Sequence, residues 1–144
     1  MIEQFEFVAK AIADRNRVRI LKMLESGPLC VCRITMALDL APATVSKHLS
    51  VLKSAGMILS DKRGRWAYYR LADREVNPYA PAVLAVVGAA LAEDPAVLAD
   101  RRALDSLAAI PAERLCDEGP AVLAGLDRHG LATLGRYKEA TPTG

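Results

Sequence analysis

Histidines, aromatic side chains and long apolar runs are all scarce in this chain of 144 residues. It has two histidines, and phenylalanine, tyrosine and tryptophan together make up 5%. The longest uncharged, mostly apolar run covers residues 80–92, whereas a membrane-spanning helix needs about 20 such residues. Residues 1–14 lack a basic start followed by an apolar run, so no secretory signal is predicted. These features predict a cytoplasmic protein that meets no membrane and keeps its thiols reduced.

The sequence also lacks the patterns that carry most enzyme chemistry. No glycine-rich phosphate loop, Ser/His/Asp arrangement or carboxylate pair stands out. His48 and His129 are too few to build a catalytic zinc centre. A Cys-X-Cys pair without a thioredoxin-like βαβ pattern fits a redox enzyme poorly. We therefore predict that the chain is not an enzyme.

The charges are unevenly divided between the two halves of the chain. Residues 1–74 carry 13 lysines and arginines against 7 acidic residues, a net of +6. Residues 75–144 carry 6 against 10, a net of −4, and the two halves together give the overall net charge of +2. An apolar content of 52% is enough for a folded core. The basic first half indicates a polyanionic partner, and nucleic acid is the leading candidate.

Apolar residues at helical spacing predict four helices in the first 55 residues. Their expected bounds are 2–13, 15–26, 30–38 and 42–55. Asp14 is suited to cap the start of the second helix, and Arg15, Arg19 and Lys22 on that helix are expected to be mostly solvated. Ala41, which precedes Pro42, is a poor cap for the fourth helix.

A β-hairpin and an alanine-rich segment follow. Residues 57–61 and 66–71 are rich in strand-forming side chains, and a basic loop separates them. Beyond Pro78 the composition turns alanine-rich and acidic, which predicts helices at 79–91 and 94–108. We divide the chain into a DNA-binding and dimerisation domain at 1–92 and a helical extension at 93–144 that ends in a partly flexible tail.

The third and fourth predicted helices, joined by a tight turn, form a helix-turn-helix, and the hairpin directly after it reads as a wing. On the fourth helix Val45, Leu49 and Leu52 face the core, so small and polar residues point outward. A helix with such a face fits the major groove of double-stranded DNA, and a cationic loop fits phosphates or the minor groove. The predicted DNA-binding residues are Ala43, Thr44, Ser46, Lys47, His48, Ser50, Lys62, Arg63 and Arg65.

Cys30 and Cys32 lie at the predicted start of the third helix. On a regular helix this spacing separates the two side chains by about 200°, so one ion binds both only where the helix start is distorted. Soft thiolates select soft metal ions. Such capture would bend the first helix of the DNA-reading pair. Two buried cysteines without a ligand, or a strained disulfide between these near neighbours, remain as alternatives.

Three stretches carry a family resemblance: LCVCRI, APATVSKHLSVLKSAGMI and KRGRWAYYRL. Together they resemble the ArsR/SmtB family of winged-helix metal-sensing repressors. The resemblance implies a mainly α fold with a small β-hairpin, a homodimer formed by the first helix and the helix at 79–91, and a palindromic operator. It also implies a repressor that leaves its DNA when metal binds.

The resemblance further implies which ions are sensed. Family members with Cys-Val-Cys on this helix sense As(III) or Sb(III), often with a third cysteine where this chain has Thr35. Cys116 is the remaining cysteine, and we hypothesise that it folds back, within or between subunits, to complete a three-thiolate site with Cys30 and Cys32. Two alternatives stay open: a Cd(II)- or Pb(II)-responsive repressor of the same family, and a DNA-binding protein switched by thiol oxidation.

Overall fold

The computed structural model describes residues 1–124, and its secondary structure is mostly helical. Within that range the chain forms helices α1 (Ile2–Ile12), α2 (Arg15–Leu24), α3 (Val31–Leu38), α4 (Pro42–Ser54), α5 (Ala80–Ala89), α6 (Pro95–Leu107), α7 (Ala112–Glu118) and α8 (Ala121–Ala124), and strands β1 (Leu29–Cys30), β2 (Ile58–Arg63) and β3 (Trp66–Leu71). The predicted mainly α fold with a helix-turn-helix and a hairpin wing is confirmed. The predicted flexible tail lies mostly outside the described residues, and the division at residue 92 stays a prediction.

A small antiparallel sheet joins the wing to the start of the helix-turn-helix. Its strand order is β1-β3-β2, so β3 lies in the middle. β2 and β3 form the predicted hairpin, with Arg63 opposite Trp66 next to the tip. β1 adds a short edge, in which Cys30 lies opposite Tyr68. A strand of two residues has no periodicity to read, so the sequence did not predict it.

The helix starts follow the capping residues of the sequence. The Asp14 carboxylate accepts hydrogen bonds from the backbone N–H groups of Asn16 and Arg17, at 2.8 and 3.2 Å. Asp94 caps α6 in the same way. No side chain caps α4 at Ala41, as expected. Burial works to raise the pKa of Asp14, but the two backbone hydrogen bonds outweigh it and hold that pKa below its usual value.

Replacing Asp14 with alanine is expected to lower the free energy of unfolding by about 1 kcal/mol at neutral pH, since the first turn of α2 loses its cap. Because folding lowers the pKa of Asp14, its contribution is present above the pKa of the unfolded chain and is lost as the pH falls through the lower folded value. Urea unfolding of both proteins across this range measures the difference. The exposed Asp105→Ala change serves as control, and an equal loss in that variant would contradict the capping role.

On α2, Lys22 is buried and Arg19 is half-buried, so the prediction that they are mostly solvated is wrong, whereas Arg15 is exposed as predicted. The guanidinium of Arg19 forms two hydrogen bonds of 2.8 Å with the carboxylate of Asp100 on α6. The ammonium of Lys22 lies 2.7 Å from Glu25 and donates to backbone carbonyls at the end of α5. Asp100 and the α5 carbonyls are distant in sequence, whereas Glu25 is three residues from Lys22, and all of these partners satisfy charges that would otherwise be costly to bury.

The C-terminal helices pack against the helix-turn-helix rather than standing apart from it. Leu107 of α6 and Leu115 of α7 are fully buried in the common core. Arg33 of α3 donates hydrogen bonds to the carbonyl oxygens of Leu107 and Ile110, the latter at 2.7 Å. These contacts fix the segment that leads into α7 beside α3. Among residues 1–124 no helix has both the length and the hydropathy to cross a membrane.

Candidate metal centre and nucleic-acid interface

The three cysteines of the chain meet at the start of α3. The sulfurs of Cys30, Cys32 and Cys116 all lie within 4.8 Å of one another, and we call this group the thiol cluster. The sulfurs of Cys30 and Cys116 are 3.4 Å apart. Metal–sulfur bonds are about 2.3 Å long, so two sulfurs on one ion lie at most about 4.6 Å apart. The separation of the Cys30 and Cys116 sulfurs is within the range that a single shared ion requires.

The backbone at Cys30 explains why the two neighbouring cysteines converge. Cys30 is not the first residue of a regular helix: it ends β1 and caps α3, with φ −65° and ψ 142°. The prediction that the third helix begins at Cys30 is therefore wrong by one residue, and the separation of about 200° that a regular helix would impose does not apply to this pair. β1 sets the extended backbone at Cys30, and Cys116 arrives on α7 from the other end of the domain.

Cys32 and Cys116 are joined by a disulfide in this structure, and Cys30 is the free cysteine. Their Cα atoms are 5.3 Å apart. The sequence predicted reduced thiols and considered a disulfide only between Cys30 and Cys32. A long-range partner on α7 avoids the crowding of that near-neighbour ring. In the reduced protein the same three sulfurs supply three thiol ligands.

Burial and helix position favour ligation at this cluster. Cys30 is fully buried, whereas Cys32 and Cys116 are half-buried, so one side of the cluster remains open to entry. Cys30 and Cys32 lie together at the N-terminal end of α3, so two of the three sulfurs come from neighbouring positions of one element. A set of three sulfurs with no oxygen or nitrogen donor suits soft ions.

The outward face of α4 is open over its whole length. Five of the six residues predicted there are exposed: Ala43, Thr44, Ser46, Lys47 and Ser50. Val45, Leu49 and Leu52 on the opposite face are fully buried. The small exposed side chains leave the helix backbone accessible to a close surface, as major-groove contact requires. The assignment of these residues to DNA stays a prediction.

His48, the sixth residue, is half-buried and held by a residue that the sequence analysis missed. Its Nδ1 lies 3.3 Å from a guanidinium nitrogen of Arg17 on α2. Since a guanidinium only donates hydrogen bonds, Nδ1 of His48 is the acceptor in this contact. Arg17 also donates to the carbonyl oxygens of Lys10 and Ala11 at the end of α1. No local sequence pattern links Arg17 to a residue 31 positions away.

The wing loop presents three exposed cations, Lys62, Arg63 and Arg65. The guanidinium carbon of Arg63 lies 4.7 Å from the ring centre of Tyr68, and that of Arg65 lies 4.6 Å from the ring of Trp66. These cation–π contacts orient the cations without neutralising them. The aromatic side chains of β3 thus support the wing cations and do not stand free as stacking platforms.

Asp117 is a further residue that the sequence analysis did not single out. One nitrogen of the Arg65 guanidinium lies 3.1 and 3.2 Å from the two oxygens of the Asp117 carboxylate. Asp117 directly follows Cys116 on α7. The wing and the thiol cluster are therefore joined by a side-chain contact next to a cysteine, and the sequence adjacency of Cys116 and Asp117 was the available signal.

Sequence comparison relates the chain to known regulators. Residues 14–60 match the family described as bacterial regulatory protein, arsR family. The arsenic resistance transcriptional regulator ArsR1 of Pseudomonas putida is 43% identical over 65 residues, which are 44% of this chain and 51% of that protein. A cadmium resistance transcriptional regulatory protein CadC homolog of Staphylococcus aureus is 40% identical over 71 residues, or 49% of this chain and 59% of that protein. The chain thus spans just over half the length of these two relatives. Both relatives are transcriptional regulators, which confirms the prediction that the chain is not an enzyme.

A solved winged helix-turn-helix domain has a similar structure. The homodimeric winged helix-turn-helix DNA-binding domain Mb0332 of Mycobacterium bovis, solved in solution, superposes with a TM-score of 0.52 and 31% identity. The match covers 60% of this chain and 76% of that domain. The shared part holds the helix-turn-helix fold, so the predicted architecture is confirmed by an independent structure.

Proposed function

Because the chain belongs to the ArsR family of bacterial regulatory proteins, we propose that it is a metalloid-responsive transcriptional repressor. It binds double-stranded operator DNA as a homodimer. It leaves the DNA when As(III) or Sb(III) binds the thiolates of Cys30, Cys32 and Cys116. The observation that carries this proposal is the convergence of three sulfurs at the start of the first helix of the DNA-reading pair.

The thiol cluster is connected to both elements that are proposed to face DNA, the wing and α4. Cys30 belongs to β1, which pairs with the wing strand β3, and Cys32 lies on α3, which leads through a short turn into α4. Cys116 brings α7 against both. Trivalent arsenic or antimony accepts three thiolate ligands, and its binding would link these three elements at one point. A change at this junction reaches the wing and α4 without a long path.

The dimer proposal rests on apolar side chains that the single chain leaves exposed. Ile2, Phe5 and Phe7 on α1 are between 53 and 82% exposed, and Val86 on α5 is 68% exposed. Phe5 also meets Tyr79 edge-on at 5.4 Å, which ties α1 to the residue before α5. Clusters of exposed apolar side chains mark protein interfaces. α1 and α5 are the two helices proposed to face the second copy.

Two alternatives have support of their own. Cd(II) or Pb(II) also prefers thiolate ligands, and one of the relatives is named for cadmium resistance. The Cys32–Cys116 disulfide favours a switch by thiol oxidation, in which two thiols give two protons and two electrons to an oxidant such as a low-molecular-weight disulfide. Metal capture and oxidation would use the same sulfurs and exclude each other.

Fluorescence anisotropy tests the proposal and its alternatives together. The reduced protein first selects its own operator from a random-sequence duplex pool. The labelled duplex is then titrated with protein in the presence of arsenite, antimonite, cadmium or zinc. We expect arsenite and antimonite to weaken binding about a hundredfold, which corresponds to a coupling free energy of about 2.7 kcal/mol. A response to cadmium alone favours the first alternative, and unchanged affinity with every ion contradicts metal sensing.

A further inference from the structure

The contact between Asp117 and the wing has a role of its own. We propose that Asp117 competes with DNA phosphate for Arg65, so that docking of α7 removes one wing cation of each protomer from the DNA-binding surface. The inference extends the proposed function, because closure of the thiol cluster adds a link between α7 and α3 to the packing of Leu115 in the core. Arg65 itself is among the predicted DNA contacts, whereas Asp117 has no role in the proposal above.

The two partners offer Arg65 the same kind of contact. A carboxylate presents two oxygens to one guanidinium, as a phosphate does, and both bind arginine through charge-assisted hydrogen bonds. Arg65 is 71% and Asp117 50% exposed, so the pair lies where DNA would approach the wing. Stacking on Trp66 holds the arginine in place. One guanidinium nitrogen that donates to Asp117 is not available to a phosphate at the same time.

An exposed ion pair of this kind is weak by itself, because water and salt screen its charges. What strengthens it is the attachment of its neighbour. Cys116 precedes Asp117, and a link from Cys116 to Cys32 or to a shared ion fixes α7 against α3. Fixing α7 keeps Asp117 beside Arg65 and so raises the effective concentration of the carboxylate at the guanidinium. Opening of the cluster lowers that concentration and frees Arg65.

Asp117 is distinguished from the other acidic residues of α7. Glu118 is paired with Arg114 on the same helix at 3.1 Å. Glu113 is exposed and makes no ion pair among the described residues. Of the three wing cations in the described part of the chain, Arg65 alone meets a carboxylate. The contact is therefore specific to one acidic side chain and one cation, and Glu113 provides a matched control on the same helix.

The salt dependence of DNA binding measures this competition without any metal. The disulfide-linked protein, prepared with oxidised glutathione and verified by thiol titration, keeps α7 docked. Affinity for a mixed-sequence 30-base-pair duplex is measured over a range of salt concentrations for the linked and the reduced forms. Each lost phosphate contact reduces the slope of log affinity against log salt by about 1, so a dimer loses about 2 on linkage. We expect Asp117→Asn to abolish this difference, and Glu113→Gln to leave it unchanged.

Equal slopes for the linked and reduced wild type overturn the inference, as does a linked Asp117→Asn protein that keeps the shallow slope. A linked Glu113→Gln protein that regains the steep slope of the reduced form would also overturn the inference. General charge, and not a specific contact, would then be responsible. Both substituted residues are exposed, so the fold is expected to survive. Because no ion is added, the result of this test does not depend on whether the protein senses metal. A negative result here would likewise leave the metal-sensing proposal unaffected.

Discussion

Replacement of Cys32 by serine is expected to abolish metalloid-driven release from DNA while the reduced variant still binds the selected duplex with wild-type affinity. Cys32 is the sulfur bonded to Cys116 in the structure and belongs to the first helix of the DNA-reading pair. Its loss leaves two sulfurs, one of which is fully buried, so the site no longer offers three soft ligands. The hundredfold weakening by arsenite should disappear, as measured by anisotropy under reducing conditions.

A second cysteine variant and a control variant on α3 accompany this prediction. Cys116→Ser should have the same effect, because it removes the ligand that α7 contributes. Thr35→Ser serves as the control: Thr35 lies on the same helix, its hydroxyl donates to the carbonyl oxygen of Val31 at 2.8 Å, and serine keeps that hydroxyl. Full release by arsenite in Cys116→Ser would remove Cys116 from the site. Release in a protein with both Cys30 and Cys32 replaced would end the metal-sensing proposal.

A carboxylate on the outward face of α4 is expected to weaken DNA binding by about a hundredfold or more. Ser46 is exposed in the middle of that face, between exposed Ala43 and Ser50. Ser46→Asp would place a negative charge against the phosphate backbone in both protomers of a dimer, and like-charge juxtaposition costs several kcal/mol. Thermal unfolding should be nearly unchanged because the side chain has no buried contact. Anisotropy with the selected duplex, without metal, measures the loss.

The same substitution at the end of the helix separates groove contact from general charge. Ser54 is exposed at the last position of α4, so Ser54→Asp carries the same charge to the far end of the element. We expect Ser54→Asp to lower the affinity for the duplex slightly and Ser46→Asp to lower it strongly. Comparable losses at both positions would show that overall charge dominates, and the assignment of α4 as the groove-binding helix would then be wrong.

Local pattern was sufficient for most of the fold. The spacing of Val45, Leu49 and Leu52 predicted the buried face of α4, and Asp14 predicted the start of α2, because capping and amphipathicity act within a few residues. The hairpin followed from two strand-forming runs around a basic loop. In each case the information lies in neighbours along the chain.

What the sequence did not reveal depends on contacts between distant segments. Lys22 and Arg19 look like surface cations until α5 and α6 supply their partners. Cys30 reads as a helical residue because the two-residue strand β1 exists only through its pairing with β3. Cys116 was proposed to return to the other cysteines, but its route, through α7 packed by Leu115, required the tertiary structure.

X-ray absorption of the reduced protein loaded with one equivalent of arsenite tests the central claim most directly, since it counts the sulfur atoms bound to arsenic. The account predicts three sulfur neighbours per arsenic in the wild type and two in Cys116→Ser. Two sulfurs in the wild type, or a count that Cys116→Ser leaves unchanged, would contradict a site built from Cys30, Cys32 and Cys116.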